Sequence, residues 1–193
     1  MVLRHGRTAW NVEGRFQGRD HPGDPPLDDV GLQQADQAAA ALLDWKPAMI
    51  VTSDSRRARQ TAARLAQATG LVAVTDARLR ERGLGRWEGL RRDEVAARYP
   101  SEYQSWAAGE DPDRLHGESR QELGDRACAV VAQLPAGVAA VLVTHRATAG
   151  SLVQRLLGLP VSARRVGGLD NGRWSELAQG SDGWLLRSHN TAG

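Results

Sequence analysis

Short apolar runs along this chain alternate with stretches whose apolar residues recur at helical spacing. "MVL" ends at Arg4 and reads as the stub of a strand. "HPGDPPLDD" (21–29), rich in Pro and Asp, is a loop. Leu32, Ala35, Ala39, Leu42 and Leu43 then share one face, which predicts a helix over 31–44. "AMIVTS" predicts a buried strand ending near Ser53. Ala58, Ala62, Leu65 and Ala66 line one side of a second helix, with Gly70 where a stop belongs. "LVAVT" (71–75) is a further strand.

The stretch over 80–118 is the least regular. "RRDEVAARYP" predicts a short helix ended by Pro100, and "GEDPDRLHGE" a loop. Ser119 and Glu122 have capping-box spacing, so a helix starts there and turns Leu123, Ala127, Val130, Val131 and Leu134 inward. "AAVLVT" (139–144) is a strand running directly into His145, and a helix over 148–158 follows. In the tail, "GRWSELA" and "GWLLRS" alternate around "QGSDG", which predicts a hairpin or paired edge strands. Strands alternating with helices argue for an α/β fold: a three-layer α/β/α sandwich with a mostly parallel central sheet, formed by one domain over 1–193. Such sheets place ligands beyond the carboxyl ends of their strands. Arg4-His5 and His145 each follow a strand, so neighbouring strands would bring both imidazoles to one crevice.

Composition narrows the class. With 193 residues, 41% hydrophobic and 25% charged, the chain suits a soluble globular protein. Lys46 is the sole lysine, so arginine supplies nearly all the positive charge. Acids and bases are interspersed, as in "RDEVAARYPSE", rather than clustered with aromatics, which argues against nucleic-acid binding. No apolar run reaches a membrane span and no signal-peptide pattern precedes His5. Cys128 has no partner for an internal disulfide, which points to packing and a cytoplasmic setting. His21, His116 and His189 lie in loops or the tail without metal-ligand spacing, so no metal site is assigned. The six tryptophans read as packing, with Trp10 a candidate for the rim of a pocket.

The blocks "LRHGRTAWN", "SDSRRARQTA", "LRERGLGRWEG", "GES" and "VTH" occur in one order along nearly the whole chain. Singly, Glu81 would be a solvated charge, His145 a core histidine and Arg57 a surface cation. Together the blocks resemble the histidine phosphatase superfamily, also called phosphoglycerate mutase-like. The resemblance implies no metal and no organic cofactor. It implies His5 as the nucleophile that takes up phosphate, Arg4 and Arg57 as the clamp on the phosphoryl oxygens, and His145 as a donor to a non-bridging oxygen. It implies Glu81 as the acid that protonates the leaving alcohol and then activates water, and it puts Asn11, Gln17 and Gly18 on the phosphate and substrate side of the pocket. This chemistry is coherent. A neutral imidazole is a competent nucleophile near pH 7, two nearby cations hold it unprotonated, and positioned cations do most of the work of phosphoryl transfer.

The chain departs from that pattern in "THRATAGSL", where Arg146 and Ala147 replace the small residues, most often glycine, that usually follow the second histidine. Arg146 adds a cation to the substrate side of the pocket or points away. The first strand is also short, which predicts a stability cost near His5. The compact middle favours net hydrolysis over mutase chemistry, and "GGLDNGRWSEL" in the tail is similar to phosphatases acting on phosphorylated sugar or glycerate derivatives. The expected activity is hydrolysis of a small phosphate ester. The alternatives are a phosphoglycerate mutase and, because of Arg146, a catalytically weak phospholigand-binding protein. An edge strand in the tail could pair across a two-fold axis, giving a homodimer.

Overall fold

The computed structural model describes residues 1–19, 23–111, 117–161 and 165–193. His21 and His116 therefore lie outside the described residues, as does part of each loop that carries them. The sheet has six strands: β1 (Val2–Arg4), β2 (Met49–Thr52), β3 (Ala73–Thr75), β4 (Ala140–Thr144), β5 (Trp174–Gly180) and β6 (Gly183–Thr191). Their spatial order is β3-β2-β4-β1-β5-β6. The first four are mutually parallel, β5 runs antiparallel to β1, and β6 returns beside β5. The expected tail hairpin forms, but of its two strands only β6 lies at an edge of the sheet, because β5 pairs on both sides.

Alternation along the strands divides the core between two faces, as the two-residue period requires. Leu3, Ile50, Val141 and Val143 point to one face and pack on α2 (Asp29–Leu43) and α3 (Arg56–Thr69) through Ala38, Leu42, Ala58 and Leu65. Val2, Val51 and Leu142 point to the other, against α6 (Arg120–Val131) and α7 (Arg146–Leu156) through Ala127, Leu152 and Val153. Each Val, Leu or Ile among them contributes about 1.5–3 kcal/mol when fully buried, and each alanine less. The three residues of β1 are all buried, and the strand is held on both sides, by β4 and β5.

Several boundaries differ from the sequence reading. α1 (Ala9–Val12) is a single turn closed by a Thr8–Asn11 capping box, too short to show a hydrophobic period. α4 (Arg92–Arg98) does stop before Pro100, yet that proline also opens α5 (Pro100–Ala108). Proline is favoured at a first helical position, where its missing N–H costs nothing, and it holds Tyr99 out of the helical region (φ −136°, ψ 59°). α7 begins two residues before the expected start, because His145, extended at ψ 171°, occupies its N-cap. The Ser119–Glu122 capping box of α6 is present. Among the described residues no helix is long and apolar enough to cross a membrane.

The loop after β1 lies directly on the start of α2. A Cβ on Gly31 would stand 2.0 Å from the Arg7 carbonyl oxygen, and one on Gly6 would stand 2.2 Å from that of Gly31. Backbone cannot yield as a side-chain tip can. Gly31→Ala is therefore expected to destabilise the fold by about 1–3 kcal/mol in urea titration, as overpacking does, and to displace the loop that carries His5. An unchanged midpoint would refute this close approach.

Candidate active site

β1 and β4 are parallel neighbours with Arg4 opposite Thr144, so the next residue of each strand projects into the same crevice. His5 and His145 meet there with ring centroids 5.0 Å apart and planes at 61°. β2 delivers Ser53 beside them, and Arg57 follows in the first turn of α3. His5, His145, Arg4 and Arg57 are all buried.

Hydrogen bonds fix opposite tautomers on the two rings. His5 Nδ1 lies 2.7 Å from the Gly6 carbonyl. A carbonyl only accepts, so Nδ1 carries the proton and Nε2 is left with a lone pair. At His145 the Arg57 Nε–H donates to Nδ1 (3.2 Å), so the proton sits on Nε2 and points to Ser53 Oγ (2.9 Å). Both imidazoles are held well below the usual histidine pKa, by burial first and by the Arg57 charge second. Arg4 adds to the effect on each. Both rings are therefore neutral at pH 7.

The cations are placed by backbone. Arg4 Nη1 donates to the Leu169 carbonyl (2.8 Å), and its buried Nε has no hydrogen-bond partner among the described residues. Burial and the neighbouring Arg146 lower the Arg4 pKa to about 10, which leaves it charged at neutral pH. Arg57 uses Nη1 for Asp24 (3.1 Å) and Nη2 for the Gly18 carbonyl (3.2 Å). The Glu81 carboxylate sits at the start of α7. It accepts from the backbone N–H groups of Arg82 (2.9 Å), Thr148 (3.2 Å) and Ala147 (3.3 Å). The Ala147 and Thr148 N–H groups are among those that a helix start leaves without intrahelical partners. Asn11 Oδ1 closes the Thr8 cap and accepts from Asn171 (3.2 Å), and Gln17 donates to Thr8 Oγ1 (2.8 Å) with its own Oε1 left unpartnered among the described residues.

These groups face one cavity of about 560 Å³. Arg4, His5, Arg57 and Glu81 line it, as do Asn11, Gln17, Gly18 and Arg146. His145 does not. It is fully buried, and both its ring nitrogens are engaged within the protein. Donation to a phosphoryl oxygen from Nδ1 requires its proton to move from Nε2 and Arg57 Nε to release the ring. The Ser53 hydroxyl permits this, because it can donate to Nε2 as readily as accept from it. Trp106 lines the cavity, whereas Trp10 is not among the residues that do. Trp106 belongs to an aromatic cluster with Phe16, Trp87 and Tyr103. Among the described residues no group of three or more His, Cys, Asp or Glu is placed to hold a metal ion.

Sequence reasoning missed Ser53, Asp24, Thr148, Asp170 and Asn171, together with the Leu169 carbonyl. Asn171 donates to the His5 carbonyl (3.0 Å), and Thr148 Oγ1 lies 3.2 Å from Glu81 Oε1. For Ser53 the available signal was its place just before "RRARQTA", whereas Asp24, in the distant loop "HPGDPPLDD", carried none. For the 167–172 segment it was the dense polar turn "DNG" between Leu169 and Trp174.

The sequence profile of the histidine phosphatase superfamily, branch 1, matches residues 1–192. Glucosyl-3-phosphoglycerate phosphatase of Mycobacterium tuberculosis is 37% identical over 94% of this chain and 87% of its own length. The protein of the same name from Mycolicibacterium vanbaalenii is 38% identical over 92% and 83%. Among solved structures, mycobacterial glucosyl-3-phosphoglycerate phosphatase complexed with VO3 superposes with a TM-score of 0.88 at 37% identity, covering 98% of this chain and 96% of the other. The strand order that joins His5 to His145 is thus shared with related proteins along almost the whole sequence, and the chain belongs to the histidine phosphatase superfamily.

Proposed function

We propose that this protein is a phosphomonoesterase that hydrolyses a small phosphorylated metabolite through a phosphohistidine on His5, with no metal step. The observation that carries the reading is the Gly6 carbonyl on His5 Nδ1, which leaves Nε2 as the nucleophilic nitrogen between two buried guanidinium groups. In the first half, the Nε2 lone pair forms an N–P bond as the ester P–O bond breaks in line. Glu81 gives its proton to the departing oxygen, which leaves as an alcohol. In the second half, the Glu81 carboxylate takes a proton from water, the water oxygen bonds to phosphorus, and the N–P bond breaks to release inorganic phosphate. Arg4 and Arg57 offset the charge on the equatorial oxygens throughout.

The mycobacterial relatives are named for glucosyl-3-phosphoglycerate, so the reading extends to a phosphoglycerate or sugar-phosphate derivative. Its carbinol groups would meet Gln17 Oε1, which awaits a donor, and the Trp106 ring. A cytoplasmic setting accords with the single unpaired cysteine, and a homodimer would use the exposed edge of β6.

A phosphate-release screen over sugar phosphates, phosphoglycerates and glucosyl-3-phosphoglycerate is expected to find turnover that EDTA leaves intact. Conversion of 3- to 2-phosphoglycerate with little free phosphate would replace this reading with a mutase. Binding of vanadate without turnover of any ester would replace it with a phospholigand-binding protein.

A further inference from the structure

We infer that Arg146, seated on Gly168, forms a subsite for a second anionic group of the substrate, a carboxylate a few bonds from the ester oxygen. The inference rests on the phosphomonoesterase reading above and adds to it the charge class of the leaving group.

The seat is built from backbone. A Cβ on Gly168 would lie 2.7, 2.8 and 2.9 Å from Nε, Cζ and Nη2 of Arg146, so the guanidinium rests in space that only glycine leaves free. The Leu169 carbonyl accepts from Arg146 Nη1 (3.2 Å) while also holding Arg4 Nη1 (2.8 Å), which sets the two side chains next to each other. The Arg146 charge is nevertheless weakly matched. Its nearest carboxylate among the described residues, Asp170, is 3.6 Å away and 66% exposed, and Asp170 is itself tied to Asn190. Solvent-exposed pairs of this length contribute little.

The charge on the cavity walls is one-sided. Among the described lining residues Arg4, Arg15, Arg57, Arg82, Arg92 and Arg146 face one carboxylate, Glu81. Arg15 is paired with Glu13 (2.5 Å) and Arg82 with Asp111 (2.7 Å). A phosphomonoester dianion is answered by the buried Arg4 and Arg57. Of the two that remain, Arg92 is exposed at the start of α4, and Arg146, with half of its side chain exposed, stands at the mouth rather than the floor and on the Glu81 side. It also directly precedes Ala147, whose N–H meets the Glu81 oxygen at 3.3 Å. Glu81 is where the ester oxygen departs, so an anion carried by the leaving alcohol meets Arg146 first. A guanidinium fork binds a carboxylate through two parallel hydrogen bonds, which makes such a group the fitting ligand.

The test compares 3-phosphoglycerate with glycerol 3-phosphate, which has a hydroxymethyl group where the former has its carboxylate. The wild-type protein is expected to favour the carboxylate ester in kcat/KM by about 10- to 100-fold, the range of a charge-assisted contact. Arg146→Gln should bring that ratio close to one. Gly168→Ala, which keeps the charge but pushes the guanidinium off its seat, should lower the ratio as well. A wild-type ratio near one, or an equal loss on both esters in Arg146→Gln, would overturn the subsite and assign Arg146 to the phosphoryl group instead. Calorimetric Kd values for the same pair on His5→Ala separate the two readings, since they need no turnover. A preserved preference there with no phosphatase activity in the wild type would sink the enzymatic reading and keep the subsite, and equal Kd values would sink the subsite alone.

Discussion

His5→Ala is expected to abolish release of phosphate from p-nitrophenyl phosphate, a fall of at least about 10⁴-fold, because His5 is the one imidazole among the described residues that line the cavity. Loss of the residue that forms the covalent intermediate removes the mechanism rather than one contribution to it. His145 cannot substitute, since it lies behind the cavity wall with Nδ1 facing Arg57 and its Nε2 proton facing Ser53. The variant should still fold, since alanine has no ring to bury and only the Gly6 carbonyl loses a donor. Its stability should also respond differently to acid. The folded pKa of His5 lies well below 6.5, the ordinary value, so below about pH 6.5 the unfolded chain takes up a proton that the folded one refuses. Stability contributed at neutral pH is thus lost as the pH falls through that window, and removing the ring makes the decline shallower. Circular dichroism against urea at pH 7 and pH 5 reads this effect separately from activity. Substantial turnover by a correctly folded His5→Ala protein would falsify the covalent mechanism.

The hydrophobic pattern revealed those parts of the fold in which each residue's burial follows a local period. Leu3, Val141 and Val143 alternate with Val2 and Leu142 as a two-faced sheet demands, and the apolar run before His145 marks its strand without ambiguity. That β1 and β4 are neighbours is a long-range fact, yet it follows once both histidines must reach one crevice. What stayed hidden depends on backbone atoms and distant pairings. The Leu169 carbonyl holds two arginines, but any residue has a carbonyl, so no side-chain type announces it. Asn171 reaches His5 from 166 positions away, and Asp170 is held by Asn190 at the end of β6. Trp106 rather than Trp10 reaches the cavity because Pro100 opens α5, while its helix-breaking role at the end of α4 was the one visible in the sequence. Arg146 stood out as a departure, but only the structure shows the Leu169 carbonyl holding its guanidinium in the space that Gly168 leaves free.

Glu81→Gln should separate the two halves of the reaction through the leaving group. For an alkyl ester such as 3-phosphoglycerate, the departing alkoxide needs a proton, and loss of a positioned general acid costs about 10²–10⁴-fold. Nitrophenolate departs without one, so phosphorylation of His5 by p-nitrophenyl phosphate should be nearly as fast as in the parent protein. The second half still needs a base to take the proton from water, and glutamine cannot serve as one. A burst of nitrophenolate approaching one equivalent per chain should therefore precede slow turnover, with acid-labile phosphate on His5 accumulating. Glutamine suits the experiment because the amide oxygen can occupy the Oε1 position, where the Arg82 and Thr148 N–H groups donate. Its NH2 then replaces Oε2 and faces the Ala147 N–H as donor against donor, so the longest of the three backbone contacts, at 3.3 Å, is the one given up. If both esters slowed by one common factor and no burst appeared, Glu81 would be holding the start of α7 in place rather than moving protons, and the acid would have to be sought elsewhere on the cavity wall.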